Sequence, residues 1–225
     1  MKYLSKIKRA AWEGRIPLLS RNLVKRIWGI VRHKTLSSNQ NSKKLWDNIL
    51  RSKGESWRDD HYHEILDFFP KDLDFSLLDI GCAIGDGPEF LAKQFPKARI
   101  AGADFSTEGI KTAKSRGSSV EYFVLDVLTD QIPDNYDYLI LVETLEHFDQ
   151  PFAILEKCLR AAIKEVIISV PLSETNGPIK DVGQHRWAFD ENSFNEYPIL
   201  KKHVTDYIQE TQSRCIVVSI SAEEY

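Results

Sequence analysis

Two carboxylates and an imidazole occur within five residues, at Glu143, Glu146 and His147, and a second imidazole follows at His185. Oxygen and nitrogen ligands of this kind suit Mg²⁺, Mn²⁺ or Zn²⁺. Without a metal, His147 can instead accept a proton as a general base while Glu146 orients its ring. The sequence leaves three interpretations open for these residues: a metal site, a metal-free catalytic group, or a structural role.

Three aspartates, Asp79, Asp104 and Asp126, each follow a short apolar segment that predicts a buried strand. The carboxyl ends of parallel strands meet at one edge of a sheet, where ligands bind. A carboxylate at the second of these ends can accept hydrogen bonds from both hydroxyls of a ribose. One at the third can accept the exocyclic amino group of adenine. Each acid can also simply cap a turn, but three in register favour a nucleoside-binding site.

The turn after the first predicted strand contains Gly81, Ala83 and Gly85. Small residues there let the backbone approach a ligand and free the N–H groups at the start of the next helix. A dinucleotide fingerprint needs G-x-G-x-x-G, whereas this turn has Ala83 and Asp86 at the second and third glycine positions. Because Asp86 would place negative charge beside a pyrophosphate, a dinucleotide oxidoreductase is disfavoured.

Strands and helices alternate from residue 75 to residue 170, which predicts an α/β fold with a parallel sheet covered on both faces. The predicted strands are 75–80, 99–103, 120–125, 138–142 and 166–170. Ser106 is the expected N-cap of the second helix, Gly117 its stop, and Pro151 the start of the third. Segments 202–209 and 214–221 are predicted to form an antiparallel hairpin.

Four segments resemble the class I S-adenosylmethionine-dependent methyltransferases, and the likeness extends over about residues 45–225. They are 78–85 (LDIGCAIG), 102–106 (GADFS), 125–127 (LDV) and 136–143 (YDYLILVE). The resemblance implies a Rossmann-like, mostly parallel seven-stranded sheet with helices on both faces and a C-terminal antiparallel hairpin. It also implies S-adenosyl-L-methionine as the cofactor.

Carried over residue by residue, the resemblance places Asp79, Gly81, Ala83 and Gly85 around the methionine and ribose part. It assigns the ribose hydroxyls to Asp104, with Phe105 beside it among the cofactor-binding residues, and adenine to Asp126 and Val127. Ala83 replaces the family's usual middle glycine, a departure that is tolerated if the position keeps a negative φ, because alanine then adds only a methyl group.

The ExxEH segment at 143–147, with the later His185, is similar to the metal-binding pattern of two methyltransferase groups. These are the small-RNA 2′-O-methyltransferases and the ubiquinone-pathway O-methyltransferases. The resemblance implies Mg²⁺ or Mn²⁺ held by Glu143, Glu146, His147 and His185, with the ion lowering the pKa of an acceptor hydroxyl. We expect O-methylation of a small-molecule, sugar or lipid-linked hydroxyl. The alternatives are an RNA 2′-O-methyltransferase and a non-catalytic cofactor-binding module.

Two further segments are expected to border the site. The connection 171–188 is interpreted as a wall on the acceptor side, with Arg186 and Trp187 facing the acceptor; a core position for Trp187 is the alternative. The second segment lies within 45–69, whose apolar residues recur at helical spacing. There Trp57, Arg58, His61 and Tyr62 are placed over the cofactor by their position alone.

Charge divides the chain into a basic N-terminal arm and linker (1–44) and an acidic methyltransferase domain (45–225). Residues 1–36 hold ten Lys and Arg against one acid, a net charge of +9, and the remainder of the chain has −12. The arm is predicted to contact a membrane surface or a second subunit, or to pack on the domain. The acidic domain disfavours a nucleic-acid partner. Three scattered cysteines and the lack of a long apolar run predict a cytoplasmic protein, with membrane association through the arm left open.

Overall fold

A computed structural model describes residues 41–52, 59–71, 74–182, 184–206 and 213–225. The predicted arm at 1–36 lies outside the described residues, as do Trp57 and Arg58. Within them, no helix is long and apolar enough to cross a membrane.

Nine strands and five α-helices make up the described residues. The strands are β1 Ser76–Ile80, β2 Arg99–Asp104, β3 Glu121–Val124, β4 Tyr138–Val142, β5 Glu165–Pro171, β6 Gly177–Val182, β7 His185–Ala188, β8 Ile199–Val204 and β9 Cys215–Ser221. The helices are α1 Lys43–Ser52, α2 Asp59–Glu64, α3 Asp86–Gln94, α4 Thr107–Ser115 and α5 Pro151–Ala161. Two short 3₁₀ turns, Leu66–Phe68 and Leu145–His147, complete the list.

Seven of the strands form one sheet in the order β3-β2-β1-β4-β5-β9-β8. The strands from β3 to β5 are parallel, whereas β9 runs antiparallel to both β5 and β8. This arrangement confirms the predicted Rossmann-like sheet and its antiparallel C-terminal pair. The strand order reverses between β1 and β4, so the carboxyl ends of these two strands border the crevice in which such sheets bind ligands.

Alternate residues of each central strand pack into different hydrophobic clusters. In β4, Leu139 and Leu141 join the cluster that contains Leu155 of α5, while Ile140 joins the cluster that contains Leu91 of α3. Because neighbouring side chains on a strand point to opposite faces, both faces of the sheet are covered. This double burial explains why the strands appear in the sequence as continuous apolar runs.

The helix signals in the sequence have their expected roles. The Ser106 hydroxyl accepts a hydrogen bond from the Gly109 amide at the start of α4, and Gly117, with φ of 71°, follows its end. Pro151 is the first residue of α5, where its missing N–H costs nothing.

The helical spacing in 45–69 corresponds to α1, α2 and a 3₁₀ turn. Two expectations need correction. The first strand of the C-terminal pair begins at Ile199, before the predicted 202. The connection 171–188 contains the hairpin of β6 and β7. Its Trp187 is 2% exposed, packs against Phe152 and donates to Asn176, so this ring belongs to the core and not to an acceptor-side wall.

Candidate active site

A cavity of about 300 Å³ lies at the carboxyl ends of the central strands. Its lining comes from α1, the turn after β1, the ends of β2 and β3, the segment after β4, and β7. The polar and charged side chains among the lining residues are Asn41, Ser42, Asp104, Asp126, Glu143, Thr144, His147, Asp149, Gln150 and Arg186. The volume is at the lower end of the range for small-molecule sites.

The turn from β1 to α3 reverses sharply through three left-handed residues. Gly81, Ala83 and Gly85 have φ values of 88°, 52° and 92°. The condition of a negative φ at Ala83 is therefore not met, because the turn requires a left-handed residue there. A Cβ on Gly81 would lie 2.5 Å from the Thr144 hydroxyl, so a side chain at this position would collide with the segment after β4.

Asp104 is held in a fixed orientation at the end of β2. Its Oδ2 accepts the Ala83 amide at 3.0 Å, and its Oδ1 accepts the Ser106 amide at 2.8 Å. The residue is 7% exposed and lines the cavity with its neighbour Phe105. A carboxylate has about four acceptor sites in all, so the two amides alone do not exhaust those of Asp104.

Asp126 and Val127 form the neighbouring part of the wall, after β3. The Asp126 carboxylate is half-buried and accepts the Leu128 amide at 3.0 Å, while Val127 is buried against the core. An apolar surface next to a fixed carboxylate can accommodate a flat, amino-bearing ring.

Asp79 and Gly85 do not line the cavity, although the family resemblance implied that they lie beside the cofactor. Asp79 is fully buried and accepts the Tyr62 hydroxyl at 2.5 Å. The Gly85 carbonyl accepts the Tyr122 hydroxyl at 2.9 Å, and burial raises the pKa of that phenol. Both residues are held by tyrosine hydroxyls, and their contact with a cofactor stays a prediction.

Three of the four residues predicted to share a metal or catalytic site come together. Ligating atoms of Glu146, His147 and His185 lie within 4.8 Å of one another. The His147 Nε2 lies 3.6 Å from Glu146 Oε1, and its Nδ1 lies 3.2 Å from the Gln184 carbonyl oxygen. Because a carbonyl only accepts, Gln184 keeps a proton on Nδ1 and makes Nε2 the basic ring nitrogen.

Glu143 belongs to a different group of side chains. Its backbone has φ of 49°, and Oε1 lies 3.5 Å from His61 Nδ1 and 3.4 Å from Cys215 Sγ. Burial and the Glu143 charge raise the pKa of the Cys215 thiol. Glu143 also lines the cavity, so this second group borders the cavity. The expectation that all four residues converge on one point is not met.

Asn41 is a cavity residue that sequence reasoning missed, because it belongs to no recognised motif. Asn41 donates to the carbonyl oxygens of His147 and Gln184 at 2.9 and 2.7 Å, and its own Oδ1 accepts the Trp46 indole. Arg186 was predicted to bind the acceptor, and it lines the cavity, but its guanidinium is 3.2 Å from the Asp149 carboxylate. The pair connects β7 to the segment after β4.

Residues 77–164 match a protein family described as "Methyltransferase domain". The relatives include the ubiquinone biosynthesis O-methyltransferase of Idiomarina loihiensis, 31% identical over 91 residues, which are 38% of this chain and 37% of that protein. They also include the trans-aconitate 2-methyltransferase of Paracidovorax citrulli, 32% identical over 82 residues, which are 36% and 32% of the two chains. The chain thus spans about a third of the length of these curated relatives.

Solved structures share the fold over most of the chain. The [4+2]-cyclase SpnF has a TM-score of 0.64 at 14% identity, covering 82% of this chain and 96% of its own. Magnesium protoporphyrin IX methyltransferase from Synechocystis PCC 6803, with bound SAH, has a TM-score of 0.59 at 14% identity and covers 85% and 98%. At such identities the likeness concerns the fold alone, and one of these two neighbours is named for a reaction other than methyl transfer.

Proposed function

We propose that this chain, a class I methyltransferase by its sheet order and by its family match over residues 77–164, transfers the methyl group of S-adenosylmethionine to a small-molecule hydroxyl. The observation that carries the proposal is that the fixed Asp104 carboxylate and His147 line the same cavity. The carboxylate suits a nucleoside, and the imidazole suits proton transfer from an acceptor.

The residues around the cavity fit the cofactor. The Asp104 carboxylate in the cavity wall can accept the ribose hydroxyls, and Asp126 with Val127 offers a carboxylate beside an apolar surface for adenine. When bound, S-adenosylmethionine supplies an electrophilic methyl group on a positively charged sulfur. Acidic side chains such as Asp104 in the wall favour that charge, whereas they would disfavour a pyrophosphate.

In this proposal, His147 takes the proton of the acceptor hydroxyl that attacks the methyl group. The Gln184 carbonyl fixes the tautomer in which Nε2 is unprotonated, and Glu146, 3.6 Å away and 1% exposed, stabilises the imidazolium that forms. The hydroxyl class is supported by relatives named as O-methyltransferases, although the matched segments are only a third of those proteins.

Metal-assisted transfer is the second form of this proposal. Glu146, His147 and His185 can contribute one ligand atom each, and their chemistry suits Mg²⁺ or Mn²⁺ only weakly, because two of the three ligands are imidazoles. Such an ion would lower the pKa of the acceptor hydroxyl and make a separate base unnecessary.

Calorimetric titration with S-adenosylhomocysteine tests the cofactor assignment, with NAD⁺ as the control ligand. We expect saturable binding of the first compound alone. Asp104→Ala should weaken it by about 10-fold or more, because a hydrogen bond to a charged group contributes about 1.5–3 kcal/mol. The matched control is Asp134→Asn, at an exposed aspartate outside the cavity lining.

Binding of NAD⁺, or binding of neither ligand by the intact chain, would contradict the proposal. A panel of phenol, alcohol, carboxylic acid and amine acceptors then tests the acceptor class. Methylation confined to amines would retain the cofactor assignment and overturn the hydroxyl assignment.

A further inference from the structure

The group formed by His61, Glu143 and Cys215 has no part in the proposed methyl transfer. Its atoms form a nearly equilateral triangle: His61 Nδ1 to Cys215 Sγ is 3.3 Å, Cys215 Sγ to Glu143 Oε1 is 3.4 Å, and Glu143 Oε1 to His61 Nδ1 is 3.5 Å. The three candidate ligand atoms therefore lie close enough together to contact one ion.

The size of this triangle matches one face of a tetrahedral zinc site. Zinc bonds of about 2.0 Å to nitrogen, 2.0–2.2 Å to oxygen and 2.3 Å to sulfur, at tetrahedral angles, separate the ligand atoms by roughly 3.3–3.6 Å. All three observed edges lie in this range. One ion can thus contact the three side chains without movement of the elements that carry them.

The surroundings also favour a dication of this type. His61 is 1% exposed and Cys215 0%, and the Glu143 side chain is 13% exposed. A thiolate and a carboxylate at such a buried position carry a charge of −2, which one Zn²⁺ neutralises, and a buried charge is tolerated only when it is compensated. Mixed sulfur, nitrogen and oxygen ligands are typical of zinc and unfavourable for magnesium or calcium.

We propose that His61, Glu143 and Cys215 bind one Zn²⁺ ion. The ligands come from α2, the end of β4 and the first residue of β9, so the ion joins three elements that are distant in the sequence. Since Glu143 also lines the cavity, water in the cavity can supply a fourth ligand. The site goes beyond the proposed methyl transfer and is separate from Glu146, His147 and His185.

The direct test is zinc binding by the full chain after removal of metal, measured in competition with a chromophoric chelator. We expect one Zn²⁺ per chain, and Co²⁺ in its place should give a thiolate-to-cobalt charge-transfer band. Cys215→Ser should abolish that band. Both Cys215→Ser and His61→Gln should weaken zinc binding beyond the roughly 10–100-fold typical for loss of an outer-shell partner.

Matched controls separate this site from its neighbours. Cys158→Ala removes another fully buried thiol, which lies in α5, and His185→Gln removes a ligand of the other group. Both variants should keep the zinc and the cobalt band. Loss of zinc in His185→Gln but not in Cys215→Ser would assign the ion to the other group and overturn the inference.

The unmodified chain keeps the test decisive if a variant fails to fold. Absence of stoichiometric zinc binding by the folded, unmodified chain would overturn the inference outright. Calorimetric titration of the same samples with S-adenosylhomocysteine distinguishes the two proposals. Zinc binding without S-adenosylhomocysteine binding would contradict the proposed function alone. S-adenosylhomocysteine binding without zinc binding would contradict the zinc site alone.

Discussion

Ala83 combines a left-handed backbone with a buried methyl group, at φ of 52° and 8% exposure. A non-glycine residue in this conformation costs about 1–2 kcal/mol. Ala83→Gly recovers that strain but loses the methyl contact and gains unfolded-state entropy, so we expect a free energy of unfolding within about 1 kcal/mol of the unmodified chain.

Ala101 in β2 is the matched control, since it is fully buried and its φ is not positive. Ala101→Gly should cost roughly 1–2 kcal/mol, because no strain is relieved to offset the loss. Urea unfolding of both variants measures the difference. Equal destabilisation by the two substitutions would mean that Ala83 is not strained.

His147 is the residue at which the base and metal forms of the proposed mechanism differ. His147→Ala should lower turnover by about 10²-fold or more while S-adenosylhomocysteine still binds, because only proton transfer is lost. His63→Ala, an exposed histidine of α2, is the control and should be active.

Turnover in the presence of EDTA distinguishes the general-base mechanism from the metal-assisted mechanism. Turnover that persists in EDTA supports the base. Loss of turnover in EDTA that Mg²⁺ or Mn²⁺ restores, and Zn²⁺ does not, would contradict the base and favour an ion held by Glu146, His147 and His185.

Among the elements, β1 and β4 are joined by hydrogen bonds near their amino ends, at the edge of the sheet opposite the cavity. The Asp137 carboxylate accepts the amide and the hydroxyl of Ser76, each at 2.8 Å, and lies 3.0 Å from the Lys164 ammonium. Burial alone would raise the pKa of Asp137, but the Ser76 amide, Lys164 and the Ser76 hydroxyl together lower it. The ionised form therefore stabilises the fold.

Asp137→Ala should lower the free energy of unfolding by about 1.5–3 kcal/mol at pH 7, the usual contribution of hydrogen bonds to a charged group. Because the folded pKa lies below the unfolded value of about 3.9, the contribution is complete above pH 4 and is lost as pH falls through the folded pKa. Urea unfolding at neutral and acid pH measures it. Asp134→Ala should change little, and an Asp137→Ala defect of constant size down to pH 2 would refute the ionic contribution.

The sequence predicted strands correctly where burial on both faces of the sheet produces a continuous run of apolar residues. The predicted strand 138–142 is reproduced as Tyr138–Val142, because every residue in it is buried. The hairpin of β6 and β7 was missed, since Gly177 and Pro178 indicate a loop. Likewise, no spacing rule reveals the positive φ at Glu143 or the contact between His61 and Cys215, which are 154 positions apart.

At the scale of the whole molecule, the cavity depends on segments that are far apart in the chain. Asn41 holds the carbonyl oxygens of His147 and Gln184, so the first described residue of the chain is fixed beside His147 in the cavity wall. The basic segment 1–36 precedes Asn41 in the sequence and accounts for the charge asymmetry of the chain.

We expect the full chain to bind vesicles that contain phosphatidylserine and not neutral phosphatidylcholine vesicles, and deletion of residues 1–36 to abolish this binding. Ten basic residues against one acid provide the attraction, at about 1 kcal/mol for each Lys or Arg near the surface. Cosedimentation measures the binding, which should weaken in high salt because the attraction is screened. S-adenosylhomocysteine affinity is the control and should survive the deletion. If the intact chain does not bind the vesicles, and the deletion converts a dimer to a monomer in sedimentation velocity, the arm is a subunit contact instead.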